Sequence, residues 1–104
     1  MIHHTMIVSF DNPVPESELD QFLEDIEQLM RGAGRVQTFS AKHHIRVPAD
    51  DHSPVFAATA IVQFGVSGLD ALNASLMAPG GEELIRRWQA RYPYKVVWAN
   101  HEPL

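Results

Sequence analysis

Residues 55–64 read Val-Phe-Ala-Ala-Thr-Ala-Ile-Val-Gln-Phe, ten residues rich in β-branched and aromatic side chains. They predict a strand, because such side chains fit a pleated surface. Alternation puts Phe56, Ala58, Ala60, Val62 and Phe64 on one face. Val55, Ala57, Thr59 and Ile61 fall on the other, which is nearly as apolar. A strand apolar on both sides predicts a packed layer on each side of its sheet.

Working outward, Ile2 to Phe10 predicts a first strand, with His4, Met6, Val8 and Phe10 on its more apolar face. His3, Thr5, Ile7 and Ser9 share the opposite face. Asp11-Asn12-Pro13 ends this strand with turn chemistry, and a helix is expected from about Pro15. Leu19, Phe22, Leu23, Ile26, Leu29 and Met30 recur there at three- and four-residue steps, and Gly32-Ala33-Gly34 stops the helix. Arg35 to Val47 predicts a second strand, followed by the polar loop Pro48 to Pro54. After the third strand, Ser67 and Asp70 have the spacing of a capping box for a helix carrying Leu69, Leu72, Leu76 and Met77. Pro79-Gly80-Gly81 breaks it. Glu82 to Arg91 resumes the helix with Leu84, Ile85 and Trp88 inward, and Lys95 to Asn100 forms the last strand.

The order is β-α-β-β-α-β, an α+β fold of the ferredoxin-like kind: a four-stranded antiparallel sheet with its helices on one face. Residues 1–104 are expected to form one domain. Helices on one face leave the other bare, and the two-sided third strand calls for a cover there. A second copy of the chain supplies it, so a homodimer is expected, its two sheets closing a dimeric α/β barrel.

Composition narrows the function classes. The net charge is −5, from 13 acidic and 8 basic side chains. Nucleic acids and anionic membranes attract basic surfaces, so neither is expected as a partner. There is no cysteine, which removes disulfides and thiolate chemistry. No apolar run approaches the ~20 residues of a membrane span, and no signal-peptide pattern opens the chain, so a cytoplasmic protein is expected. The chain has six histidines. No local spacing among them matches a metal site, and neither metal nor cofactor is expected. Gly32-Ala33-Gly34 follows a helix rather than a strand, the reverse of a dinucleotide-binding turn.

The stretches "IHHTMIVSF", "ATAIVQF" and "YKVVWANHEP" resemble the dimeric α/β-barrel superfamily, in particular its stress-responsive A/B-barrel group. The chain's length also suits the RedY-like proteins of prodiginine pigment biosynthesis. In the cyclase branch of the superfamily, a pocket between sheet and helices is lined by a histidine at the start of the first strand, and His4 matches that place. That branch also carries a His-Pro-x-His stretch after the second helix, where this chain has Ala78-Pro79-Gly80-Gly81. A further pocket histidine of the branch falls near Ala58.

The resemblance implies a pocket built from Met6, Val8, Phe22, Ile26, Phe56, Ala58 and Trp88, holding a small apolar or aromatic ligand. His4 is the candidate catalytic residue, because an imidazole titrates near pH ~6.5 and can exchange a proton at neutral pH. Three functions fit. One is a cofactor-independent cyclase, condensation or isomerase-type enzyme of secondary metabolism, acting on a polyketide-like, aromatic or pigment-precursor compound. The second is a non-enzymatic binding or accessory protein with the same pocket. The third is a cofactor-free monooxygenase. A structural histidine, bonded to backbone or water, is the plain alternative for His4. Trp88 and Trp98 are both expected in the core.

Overall fold

A computed structural model describes all 104 residues. Its elements are β1 (Ile2–Phe10), α1 (Glu16–Gly32), β2 (Val36–His43), β3 (Ala60–Val66), α2 (Leu69–Leu76), α3 (Gly81–Arg91) and β4 (Tyr94–His101). A short 3-10 turn, Pro48–His52, lies between β2 and β3. The four strands form one antiparallel sheet in the order β2-β3-β1-β4. This is the expected ferredoxin-like arrangement. No helix is long and apolar enough to cross a membrane.

The sheet sorts its side chains by face. Val8, Ala60, Val62 and Phe64, together with His4, are almost wholly buried beneath the helices. Phe22, Leu23 and Ile26 of α1, Leu72 of α2 and Trp88 of α3 complete the core against them. Asp25 fastens α3 to α1. It accepts the Trp88 indole N–H at 2.9 Å, and its carboxylate lies 3.3 Å from the Arg87 guanidinium. Arg91 adds an ion pair with Glu18 at 2.8 Å.

The opposite face carries no helix. Ile7 pairs with Ile61 on one side and Val97 on the other, so three aliphatic side chains form a row across β3, β1 and β4. All three are exposed. The next row is Gln63, Thr5 and Ala99. There Thr5 Oγ1 lies 2.7 Å from His101 Nε2 and accepts the Gln63 amide at 3.0 Å. Gly65 stands beside the His3 ring; a Cβ there would lie 3.0 Å from His3 Cδ2.

Several boundaries differ from expectation. The third strand begins at Ala60 rather than Val55 and continues through Val66. Its ladder with β1 ends at the Val8–Ala60 pair. Upstream, Thr59 and Ala57 instead bond the end of β1 singly: Thr59 N–H donates to Val8 O, Thr59 Oγ1 accepts from Phe10 N–H, and Ser9 Oγ donates to Ala57 O. The open face therefore loses Val55 and Ala57, and it is more polar than the sequence suggests. The second strand stops at His43, and Asp50 draws the following residues into the 3-10 turn by accepting from Val47 N–H. The capping box does not form; α2 begins after Gly68 with no side-chain cap. Ile85 is partly exposed on α3 rather than in the core, and Trp98 is half exposed rather than in the core.

Candidate functional site

Register places His4. On β1 it alternates with His3, so the two adjacent imidazoles go to opposite faces. His4 lies on the helix-covered face, between Phe64 of β3 and Asn100 of β4. Its side chain is fully buried. One ring nitrogen, Nδ1, lies 2.6 Å from Asn100 Oδ1. With the amide oxygen as acceptor, Nδ1 carries the proton and donates it. The other nitrogen, Nε2, is then a bare lone pair, and no protein group bonds to it.

A buried polar atom without a partner is uncommon and unfavourable, so this one calls for an explanation. Burial holds the His4 pKa below the ordinary histidine value, and the nearby His101 lowers it further. The Asn100 hydrogen bond pulls the other way without cancelling the effect of burial. The imidazole is neutral at pH ~7, with Nε2 available to accept a proton.

Next to His4 opens an apolar cleft of about 740 Å³. That volume is within the range of small-molecule sites, roughly 300–1,000 Å³. Met6, Val8, Phe64, Tyr94, Val96 and Trp98 form its floor on the sheet. Phe22, Ile26, Leu29 and Met30 of α1 form one wall, and the Leu76–Gly81 connection with Leu84, Ile85 and Gln89 of α3 forms the other. Glu82, Glu83 and Arg86 stand at this wall as its charged groups. The left-handed conformation of Gly80, φ 92°, turns the chain from α2 into α3 beside the cleft.

The residues expected to build a pocket divide accordingly. Met6, Val8, Phe22 and Ile26 line this cleft. Phe56 and Ala58 do not, because both precede β3 in the connection from the 3-10 turn. Trp88 does not line it either. It is buried behind Phe22, with ring centroids 5.4 Å apart, and its indole points to Asp25. His4 also lies outside the cleft wall. Its ring packs against Phe64 at 5.1 Å and edge-to-face against Trp98 at 5.3 Å, and both of those residues do line the cleft.

Asn100 was not singled out from sequence, and Trp98 was expected only as a core residue. Asn100 and Trp98 meet His4 only through the β1–β4 pairing, nearly a hundred residues away along the chain. The signal that could reveal them is the alternation of β4, which puts Tyr94, Val96, Trp98 and Asn100 on one face. The remaining histidines are dispersed. His43 pairs with Asp20 at 2.6 Å and His44 with Asp50 at 2.7 Å, while His3 and His101 pack edge-to-face on the open sheet face.

No family model and no curated protein matches this chain. Solved structures do resemble it. A "dabb family" protein with a ferredoxin-like fold from Mesorhizobium loti matches with a TM-score of 0.73 at 17% identity, over 99% of this chain and 96% of that one. A dimeric ferredoxin-like protein of unknown function from Thermobifida fusca matches at 0.74 and 12% identity, over 98% and 90%. A hydroxynitrile lyase from Passiflora edulis matches at 0.73 and 14% identity, over 96% and 90%. Identities this low establish a shared fold.

Proposed function

We propose that this chain is a small-molecule protein of secondary metabolism in which His4 moves a proton on an aromatic or polyketide-like compound held in the apolar cleft. The reaction class is a cofactor-independent cyclisation, condensation or isomerisation, and a pigment precursor fits the same description. One observation carries this reading: a buried imidazole with one nitrogen fixed by Asn100 and the other bare, beside an apolar cleft of ligand size.

The chemistry follows from that arrangement. Nε2 accepts a proton from an acidic C–H or O–H of the ligand, and the electron pair left behind attacks or delocalises within the ligand. The imidazolium so formed keeps its Nδ1–H bond to Asn100 Oδ1, which holds the ring in orientation. Because its surroundings disfavour the charged form, the imidazolium returns the proton readily to the product. A neighbour in fold that is a hydroxynitrile lyase supports catalysis on small molecules in this architecture. The exposed Ile7–Ile61–Val97 row and the dimeric neighbour support a homodimer joined through the open sheet face.

A second reading, a binding or accessory protein without turnover, is favoured by the position of His4 behind Phe64 and Trp98. The two readings separate with 5-nitro-1,2-benzisoxazole, an aromatic probe that opens when a base takes its ring proton, breaking the N–O bond and releasing a coloured phenolate. With a positioned base, the wild type opens the probe at least tenfold faster than His4→Ala, given the ~10²–10⁴ typical of general-base catalysis. If both bind the probe and open it equally, the base is dismissed and the binding reading stands.

A further inference from the structure

The His4 ring is closed off from the cleft by two aromatic side chains of unequal exposure. Phe64 is on the inner strand β3, only 1% exposed, and packed under the helices. Trp98 is on β4, the edge strand, and is 53% exposed. The Trp88 indole is tied by its N–H to Asp25, whereas nothing comparable holds the indole of Trp98. Met6, the cross-strand partner of Trp98, lines the cleft, while Asn100, the partner of His4, does not. On β1 and β4 the cleft therefore ends at the Met6–Trp98 pair, and of the His4 row only Phe64 lines it.

We infer that Trp98 is a positioning and specificity residue that controls whether a ligand in the cleft reaches His4 Nε2. This rests on the reading of His4 as the base. A side chain on an edge strand, with half its surface in solvent and no hydrogen bond, turns at small energetic expense. The Phe64 ring cannot move without opening the core. A flat apolar ligand displaces the indole and takes over its edge-to-face contact with the imidazole. A compound too small or too polar to do so stays in the cleft without meeting the base. Trp98 also keeps bulk water off Nε2 when the cleft is empty, which accounts for an unpartnered nitrogen in a fully buried ring.

Carbethoxylation by diethyl pyrocarbonate, resolved by peptide mass spectrometry, tests this directly, because it requires only an unprotonated nitrogen within reach. It is independent of turnover, so it holds even if the proton-transfer reading fails. Exposed His52 serves as an internal reference within each protein. In Trp98→Ala and Trp98→Leu, His4 should react at least tenfold faster than in the wild type, with His52 unchanged. Trp98→Phe, which restores an aromatic plug, should fall back toward the wild-type rate. In proton-detected titrations the His4 midpoint should rise toward the ordinary ~6.5 in Trp98→Ala, as water relieves the burial that lowers it. Equal His4 reactivity in the wild type and both small variants, with an unmoved midpoint, would overturn the inference. So would a Trp98→Phe protein as reactive as Trp98→Ala.

Discussion

His4 Nδ1 and Asn100 Oδ1 meet at 2.6 Å across the β1–β4 pair, and this contact fixes which nitrogen of the imidazole is left bare. Removing the amide leaves a buried N–H without an acceptor. Asn100→Ala should therefore lose about 1–3 kcal/mol of unfolding free energy in urea titrations. It should also allow the ring to exchange tautomers. Asn100→Asp puts a carboxylate against the same N–H, so the His4 midpoint should rise instead.

Stability should depend on pH through His4. Burial holds its folded-state pKa below the unfolded value of ~6.5. The unfolded chain therefore takes up the proton first as pH falls, and stability is lost as pH drops below ~6.5 toward the folded-state pKa. The contribution is fully present above ~6.5. Urea midpoints of the wild type and His4→Gln, compared between pH 7.5 and 5, should show the wild type losing more. A gap that does not change with pH would contradict a folded-state pKa below the unfolded one.

The Trp88–Asp25 bond offers a test of the helical layer. Trp88→Ala should cost about 3–5 kcal/mol, the usual loss for a buried large aromatic. Trp88→Phe keeps most of the packing and removes one hydrogen bond from the Asp25 carboxylate, which retains Gln21 and Arg87. Its loss should be smaller, about 1–3 kcal/mol. Thermal and urea unfolding of both variants measure the difference.

The strand and helix order was legible in the sequence because one face of β1 takes every second residue of an apolar set and the apolar residues of α1 recur at every third or fourth. The start of β3 was not. Val55 to Thr59 continue the same apolar, β-branched run, yet the ladder with β1 ends at the Val8–Ala60 pair. Where a ladder stops depends on the neighbouring chain, and alternation within one segment does not encode it. The same limit explains the site. His4 could be assigned to the covered face from Met6, Val8 and Phe10 alone. Asn100, which sets its tautomer, and Trp98, which screens it, depend on the register between the two ends of the chain. Phe56 and Ala58 were placed in the pocket by extending β3 too far; Trp88 is in the core, as its size predicts, and its N–H draws it to Asp25, away from the cleft.

The row Ile7–Ile61–Val97 is the expected seat of a second copy. Ile61→Asp sets a carboxylate in the middle of it, where burial against a partner would leave the charge unpaired. Sedimentation at micromolar concentration should show about twice the chain's mass for the wild type and a single-chain species for Ile61→Asp. A single-chain species for both proteins would dismiss the homodimer.

Nitrogen NMR of the His4 ring at pH 7.5 tests the central claim most directly. The expected spectrum has a protonated Nδ1 and an unprotonated, pyridine-like Nε2, and keeps this form as the pH is lowered to ~6.5. A proton on Nε2 at pH 7.5, whether in the other neutral tautomer or in the imidazolium, would contradict a base poised at the cleft.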